Sequence, residues 1–245
     1  MERQNENLRK LFESHYTWIE GFNRNVRRYY DRLAMIDPYS NRQWTYKELN
    51  NEVNRFANTL LEDGFEGGDV VMGMTQNCLE FPFAYISTQK IHGVMSPVSF
   101  RLSAGELAQN LSDSKPKVII FDNKRKDTVL QAVKISGLQP KRLIVTDGIT
   151  DMNIVSYHDY VDVASNREPM VAEPLNIYEE TTRLYTSGTT GRAKGVPLTS
   201  INEVLSAHDI MIHFPMSFRD VTLNTTPWFH RGGIHCGGPC PTFYA

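Results

Sequence analysis

A run of small hydroxyl residues and glycines ending in a lysine is the part of this sequence best suited to chemistry. It spans Thr186–Gly195 and has the sequence TSGTTGRAKG. Glycines let backbone N–H groups approach an anion without a Cβ in the way, hydroxyls add donors, and the lysine supplies a mobile positive charge. These properties predict a loop that binds the phosphates of ATP.

Two alternative interpretations fit this run less well. A Walker-type P-loop needs Gly-x-x-x-x-Gly-Lys followed by Ser or Thr, and no Gly-Lys pair occurs in the chain. The second alternative is a generic surface loop. Such a loop would not be expected to carry a lysine near its end or to follow directly after a strand, and Thr182–Tyr185 predicts a strand just before this run. The residues after the run predict an exit loop at 196–198 and a capping box at 200–203 that opens a helix.

The segment Tyr185–Val196, YTSGTTGRAKGV, resembles the phosphate-binding signature of the adenylate-forming superfamily. That superfamily contains acyl-CoA synthetases, luciferases and the adenylation domains of peptide synthetases. Ala193 replaces the proline common before the lysine, and the run at 199–202 replaces a Ser-His-x-Asn run. Neither departure removes a phosphate donor, so both bear on the substrate class more than on nucleotide binding.

Three further segments resemble family motifs in the right order. Trp44–Leu49 is similar to the first core motif, and Gly93–Leu102 is similar to the second. Pro227–Gly233, PWFHRGG, is similar to the segment that places an aromatic residue and a histidine beside the acyl pocket. The resemblance covers the chain from about residue 40 to its last residue and is greatest to an acyl-CoA synthetase.

The resemblance implies ATP, Mg²⁺ and coenzyme A as the small molecules of the parent enzyme, and it assigns catalytic roles to Lys194 and His230. Lys194 would neutralise the leaving pyrophosphate, and His230 would orient the carboxylate of the acid. The hydroxyl of Thr186 would help to hold Mg²⁺. The expected nucleotide-binding residues are Thr186, Ser187, Gly188, Thr189, Thr190, Gly191 and Lys194, and the expected acid-binding residues are Trp228, His230, Gly232 and Gly233. Trp228 is equally compatible with core packing, and the loop is expected to be weakly ordered without ligand.

Three functions remain open at this stage. The first is an N-terminal part of an acyl-CoA synthetase that activates a fatty or related organic acid as acyl-AMP. The second is an adenylation domain of the peptide-synthetase type, which loads an amino acid on a carrier protein. The third is a nucleotide- or phosphate-binding module without catalysis, which is also the expectation for the 245-residue chain by itself.

The positions of apolar residues predict a doubly wound α/β fold with a largely parallel sheet, because strands and helices alternate. Ligands of such sheets bind beyond the carboxyl ends of the strands, where the phosphate-binding run also lies. The predicted strands are 69–74, 94–98, 117–122, 142–146, 182–185 and 221–225, and the predicted helices are 45–63, 79–91, 103–111, 127–135 and 202–214.

The family pattern also predicts the domain organisation. Residues 67–218 would form a nearly complete α/β subdomain, and residues 15–62 with 219–245 an incomplete second sheet. The C-terminal lid domain would be absent, so the chain is expected to be the N-terminal piece of an enzyme about twice as long. The helix bearing Leu49, Val53, Phe56 and Leu60 would then lack its usual cover, which suggests a homodimer.

Composition and charge limit the partners. Lys and Arg total 26 against 28 Asp and Glu, so no global charge attracts nucleic acid or an anionic membrane. The N-terminus does not resemble a secretory signal, and no stretch reaches the roughly 20 apolar residues of a membrane span. Three cysteines suit a reducing cytoplasm. A metal site built from His230, His235, Cys236 and Cys240 is disfavoured, because structural zinc sites usually carry tighter paired spacing.

Overall fold

A computed structural model describes residues 2–186 and 193–244 of the chain. The strands are β1 (Leu33–Asp37), β2 (Arg42–Thr45), β3 (Val70–Met74), β4 (Val94–Pro97), β5 (Val118–Phe121), β6 (Arg142–Val145), β7 (Val155–Ser156), β8 (Glu180–Thr186) and β9 (Lys194–Thr199). The helices are α1 (Glu2–His15), α2 (Trp18–Arg28), α3 (Tyr46–Glu62), α4 (Glu80–Lys90), α5 (Ala104–Ser114), α6 (Lys126–Ser136), α7 (Tyr157–Val161), α8 (Ser200–His213), α9 (Arg231–His235) and α10 (Pro239–Tyr244).

Seven of the strands form one sheet in the order β7-β6-β5-β3-β4-β8-β9. All neighbours pair in parallel except β8 and β9, which pair antiparallel at the edge. After β3 the chain forms β4 on one side of β3 and then crosses to form β5 on the other side. This reversal of direction is typical of a doubly wound sheet. The predicted fold class is therefore confirmed, and β1 and β2 form the second, two-stranded sheet.

Two helix starts follow directly from local sequence. The Thr45 hydroxyl accepts from the Glu48 N–H at 3.2 Å, and the Glu48 carboxylate accepts from the Thr45 N–H at 2.8 Å. Ser103 and Glu106 form the same reciprocal pair at the start of α5. Gly64 follows α3 with a φ of 78°, a conformation that favours glycine. These capping boxes and the glycine stop were predicted and are confirmed.

Two predicted elements were wrong. Residues 196–198 form part of strand β9 rather than an exit loop, and β9 covers the edge of β8. Pro197 is tolerated there because an edge strand does not need every N–H for the sheet. Residues 221–225 do not form a strand: Val221 and Leu223 are exposed, and no strand in the described part of the chain lies beside them. The capping box of α8 also begins one residue early, at Thr199.

The prediction that α3 lacks its usual cover is wrong as well. Leu49, Val53, Phe56 and Leu60 have no exposed surface, because α2, α4 and α7 pack over them. Phe56, for example, stacks on Tyr157 of α7 with ring centroids 5.3 Å apart. An uncovered α3 therefore gives no reason to expect a homodimer.

The core consists of two apolar clusters, one on each face of the large sheet. One cluster joins α2, α3, α4 and α8 to the strands, and the other joins α5 and α6 to the opposite face. The first also contains residues from 18 to 60 and from 234 to 244. The assignment of these segments to a separate subdomain stays a prediction. No helix among residues 2–186 and 193–244 has the length and apolar character of a membrane span.

A buried lysine fixes the long connection that leads to β8. Lys90 has a side chain only 2% exposed, and its ammonium donates to Asn50 at 2.8 Å and Asn54 at 2.9 Å. It also forms an ion pair of 2.6 Å with Glu168. Burial lowers the pKa of Lys90, and the Glu168 carboxylate partly offsets that effect. The connection is thereby held against α3 and α4.

Replacing Lys90 with methionine should lower the free energy of unfolding by about 1–3 kcal/mol, because Asn50 and Asn54 lose the donor that satisfies their oxygens. Lys10→Met is the matched control: Lys10 is 72% exposed and pairs with Glu6 at 3.2 Å, so its loss should cost about 0.5 kcal/mol or less. Urea denaturation of both variants measures the difference. Equal effects of the two substitutions would contradict this role of Lys90.

Candidate functional site

The described residues of the phosphate-binding run lie at the two ends of the β8–β9 hairpin. Thr186 is the last residue of β8 and Lys194 the first of β9, and the two are directly opposite in the antiparallel register. Side chains of directly opposed residues lie on the same face of a sheet. The hydroxyl and the ammonium therefore flank the loop together, and both residues are exposed.

The middle of the run lies outside the described residues. This applies to Ser187, Gly188, Thr189, Thr190 and Gly191, and also to the expected order of the loop. Their roles in nucleotide binding stay predictions. In the sequence they stand between Thr186 and Lys194, the last paired residues of β8 and β9.

The hairpin is anchored to α5 just below its tip. The Tyr185 hydroxyl donates to Asp113 at 2.8 Å, and burial, aided by that carboxylate, raises the pKa of Tyr185 to about 12. Gly195 lies opposite Tyr185, and a Cβ there would come within 3.0 Å of the Asp113 carboxylate. The opposed tyrosine and glycine thus let the hairpin pack closely on the helix.

A second segment, residues 226–230, lies at the same edge of the sheet. Asn77, just after β3, accepts from the Trp228 N–H at 3.0 Å and donates to the Thr226 carbonyl at 2.9 Å. Phe229 packs edge-to-face on Phe100, just after β4, with centroids 5.4 Å apart. Because β8 runs parallel to β4, its carboxyl end lies at this edge as well. The fold thus brings the segment of His230 and the phosphate-binding hairpin to one edge.

Positive charge gathers at this edge. The guanidinium groups of Arg101 and Arg125 each lie 5.4 Å from the centre of the Phe100 ring. Lys194 adds a third cation at the hairpin. Asp122 lies 3.8 Å from the Arg125 guanidinium and offsets part of this charge. Within the described residues Arg101 and Lys194 form no ion pair, and such exposed cations favour an anionic ligand such as a nucleotide.

The two predicted acid-binding side chains differ in their surroundings. Trp228 is half-buried and packs on Phe81 with centroids 5.4 Å apart, which favours the packing interpretation left open above. Its indole N–H is buried without a hydrogen-bond partner in the described part of the chain. His230 is exposed and precedes α9. Its imidazole is thus available to a ligand.

The two predicted glycines are not equivalent. A Cβ on Gly233 would overlap the Pro227 carbonyl oxygen, so the backbone can pack there only without a side chain. A Cβ on Gly232 would have its nearest contact at 3.9 Å, on the Thr226 side chain. Gly233 is therefore required by packing, whereas Gly232 is open to a ligand.

A groove of about 400 Å³ lies between α8 and α9. The Arg231 guanidinium donates to the Ser206 hydroxyl at 3.2 Å on one side of it. His235 is 2% exposed, and burial with the nearby Arg231 charge lowers its pKa to about 4, so the imidazole is neutral. The lining residues are Leu198, Asn202, Leu205, Ser206, Asp209, Arg231 and His235.

Sequence reasoning missed this groove. His235 entered only as a member of the disfavoured metal set, because the surface it shares with Arg231 and Ser206 depends on how α9 packs on α8. The spacing of Arg231 and His235, four residues apart, places them on one face if the segment is helical. That spacing was the only local signal.

The residues present fit Mg²⁺ at the hairpin but not a protein-built metal cluster. Thr186 offers one neutral oxygen, which suits an ion that takes its other ligands from phosphates and water. Within the described ranges, no group of three or more His, Cys, Asp and Glu residues is placed to hold a metal. Of the disfavoured zinc set, Cys240 is buried and its thiol donates to the Glu203 carbonyl at 3.4 Å.

Comparison with known proteins decides the family. The profile described as AMP-binding enzyme matches residues 22–243. The chain belongs to this family. The identification made from the YTSGTTGRAKGV segment is thus confirmed.

Relatives of this chain include coenzyme A ligases. A crotonobetaine/carnitine–CoA ligase of Citrobacter koseri is 28% identical over 232 residues, which cover 84% of this chain and 42% of that protein. The Escherichia coli protein of the same name is 30% identical over 193 residues, covering 77% and 37%. The chain therefore spans less than half the length of the curated relatives it matches.

Solved structures share the fold of this chain. The luciferase-like enzyme of the nonluminescent mealworm Zophobas morio has a TM-score of 0.82 at 18% identity, covering 95% of this chain and 53% of that one. ATP-bound MatB from Rhodopseudomonas palustris has a TM-score of 0.78 at 23% identity, covering 94% and 44%. At these identities the likeness concerns the fold alone.

Proposed function

We propose that this chain is the nucleotide-binding part of an AMP-forming acid–thiol ligase, an acyl-CoA synthetase. The observation that carries the proposal is the pairing of Thr186 with Lys194 at the two ends of the signature loop, on the carboxyl edge of the sheet. A hydroxyl and an ammonium on one face of a hairpin are suited to hold a polyphosphate whose negative charge increases during reaction.

In the proposed reaction a carboxylate oxygen attacks the α-phosphorus of ATP, and the bond from that phosphorus to the bridging oxygen of pyrophosphate breaks. Acyl-AMP and pyrophosphate are the products. Lys194 would neutralise charge on the leaving pyrophosphate, and the neighbouring backbone N–H groups of the loop would hold its oxygens. Mg²⁺, when bound, neutralises further phosphate charge, with Thr186 as its ligand from this chain.

The acid would bind between the 226–233 segment and the groove beside α8. His230 is exposed near the hairpin edge, and Gly232 leaves open space beside it. The groove offers a guanidinium at Arg231 and a neutral imidazole at His235. We propose a fatty or related organic acid as the substrate class. The thiol of coenzyme A is the proposed acceptor, which the names of the crotonobetaine/carnitine–CoA ligase relatives support.

The 245-residue chain by itself is proposed to bind nucleotide without turnover, because it spans less than half of its relatives. A reducing compartment such as the cytoplasm suits it, since all three cysteines are free: Cys78, Cys236 and Cys240.

Calorimetry with Mg-ATP tests the nucleotide-binding half of this proposal. We expect saturable binding by the 245-residue chain and no pyrophosphate release in the presence of carboxylic acids. A longer protein that contains this chain is expected to show carboxylate-dependent exchange of labelled pyrophosphate into ATP. Turnover by the chain alone, or no exchange with a broad panel of acids, would contradict the corresponding part.

A further inference from the structure

A buried carboxyl group joins strand β8 of the phosphate-binding hairpin to two helices, α4 and α8. Glu203, in the first turn of α8, has no exposed surface. Its carboxyl accepts from the Tyr85 hydroxyl at 2.9 Å and from the Gln89 amide at 3.0 Å, both on α4. It also accepts from the Thr182 hydroxyl of β8. This network connects α4, α8 and the strand that leads to the loop.

In the part of the chain that the structure describes, this carboxyl group has no counter-ion. Within residues 2–186 and 193–244, no lysine, arginine or histidine forms an ion pair with Glu203, whereas eleven other pairs occur elsewhere. The titratable groups that face it are Tyr85 of α4 and Cys240 of α10, and burial raises the pKa of both well above their usual ranges. An isolated buried charge is costly, so burial raises the pKa of Glu203 to about 7.

The hydrogen bonds from Thr182, Tyr85 and Gln89 favour the ionised carboxylate and offset part of the effect of burial, yet the same network can also accommodate the neutral acid. The Gln89 side-chain oxygen is buried and has no hydrogen-bond partner among the described residues. If the Gln89 amide turns by half a rotation, a protonated Glu203 can donate to that oxygen. Its other oxygen can still accept from Tyr85 and Thr182. The network is therefore compatible with an uncharged Glu203 that keeps all three contacts.

We propose that Glu203 is a positioning residue for the phosphate-binding hairpin: the neutral acid holds β8 against α4 and α8, and its ionisation loosens the hairpin and weakens nucleotide binding. The nucleotide part rests on the proposed function. Glu203 is close to the loop along the chain of contacts, because its partner Thr182 lies on the same strand as Thr186 and four residues before it. Glu203 itself lies in the helix that directly follows β9.

The sign of the pH dependence follows from the two environments of the carboxyl group. We call the hairpin closed when β8 is packed on α4 and α8 and Glu203 is buried, and open when Glu203 is in water. The pKa of Glu203 is about 7 in the closed form, and its ordinary value in water is 4.5. Opening at a pH between these two values therefore releases a proton from Glu203. The closed form has its full stability below about pH 4.5 and loses it as the pH rises to about 7, roughly tenfold in the opening constant per pH unit within that window. Above pH 7 the effect levels off.

Hydrogen exchange of the β8 and β9 peptides tests the positioning role without nucleotide. In the wild-type chain, protection corrected for intrinsic exchange should fall roughly tenfold per pH unit between pH 5 and pH 7. Glu203→Gln replaces the neutral acid by an amide of similar shape, so its protection should stay nearly constant and exceed that of the wild type at pH 7.5. Glu62→Gln, at an exposed residue of α3, should retain the wild-type profile.

The affinity for Mg-ATP tests the link to the site. From pH 5.5 to pH 7.5 the wild type should lose roughly fivefold or more in affinity, while Glu203→Gln should stay level. Tyr85→Phe removes one donor to the carboxylate, which raises the pKa of Glu203 further, so its transition should move to higher pH. If Glu203→Gln fails to fold, the shift of the transition in Tyr85→Phe still tests the proposal.

Each outcome separates the two proposals. A Glu203→Gln variant with the wild-type pH profile in hydrogen exchange overturns the positioning role, whatever the affinity for ATP. A hairpin that loosens as expected, together with a pH-independent affinity for Mg-ATP, overturns the link to nucleotide binding. No binding of Mg-ATP by any variant at any pH overturns the proposed function, while the hydrogen-exchange result still decides the role of Glu203 in the hairpin.

Discussion

Replacing Lys194 with alanine should weaken the binding of Mg-ATP by about 10- to 100-fold. The lysine is exposed at the start of β9 and directly opposite Thr186, so its ammonium can reach a phosphate held by the loop. A hydrogen bond to a charged group contributes about 1.5–3 kcal/mol, which corresponds to that change in affinity. Calorimetric titration of the two proteins measures it.

The expected loss is specific to the site, not to the fold. Because Lys194 is exposed, the free energy of unfolding should change by no more than about 0.5 kcal/mol. Lys134→Ala is the matched control, since Lys134 is an exposed lysine on α6 and its removal should leave the affinity unchanged. If Lys194→Ala and Lys134→Ala bind Mg-ATP as tightly as the wild type, the assigned role of Lys194 is wrong.

Replacing Gly233 with alanine should lower the free energy of unfolding by roughly 2–4 kcal/mol and displace the segment that carries Trp228 and His230. The added Cβ would overlap the Pro227 carbonyl oxygen, and backbone atoms cannot move aside as a flexible side chain can. Overpacking of this kind commonly costs 1–3 kcal/mol and occasionally more. Urea denaturation gives the energy, and near-UV circular dichroism reports on the packing of Trp228 against Phe81.

The neighbouring glycine provides the control. An alanine at Gly232 would have its nearest contact at 3.9 Å, so Gly232→Ala should change stability by less than about 1 kcal/mol, and it removes the entropic cost of a glycine in α9. A Gly233→Ala protein that is as stable as Gly232→Ala would show that the turn at 227–233 tolerates a side chain and that the close packing is not required.

Features decided within a few residues could be predicted from the sequence. The capping boxes at Thr45 and Ser103 require only two side chains three residues apart, and Gly64 ends α3 through its own backbone freedom. The alternation of apolar segments predicted the parallel sheet, because a strand covered on both faces must be apolar throughout. The hydroxyls, glycines and lysine of the loop predicted phosphate binding for the same local reason.

Features that depend on residues distant in the chain could not be predicted from the sequence. Residues 196–198 are a strand because β8 offers an unpaired edge. Residues 221–225, which include the exposed Val221 and Leu223, are not a strand because no strand in the described part of the chain pairs with them. Part of the cover of α3 comes from α7, about 100 residues later in the chain. No local pattern contains such information, since each depends on which surface another segment presents.

The sequence by itself determined the family and the sheet, and it predicts the phosphate-binding loop, because those properties depend on residue types and short spacings. Only the tertiary structure decided that Thr186 and Lys194 stand opposite each other across a hairpin and that Gly233 is required by packing whereas Gly232 is not. It also decided that Glu203 is buried, with no counter-ion among the described residues. The physical reason is that strand register, steric fit and desolvation are set by contacts between segments far apart in the chain.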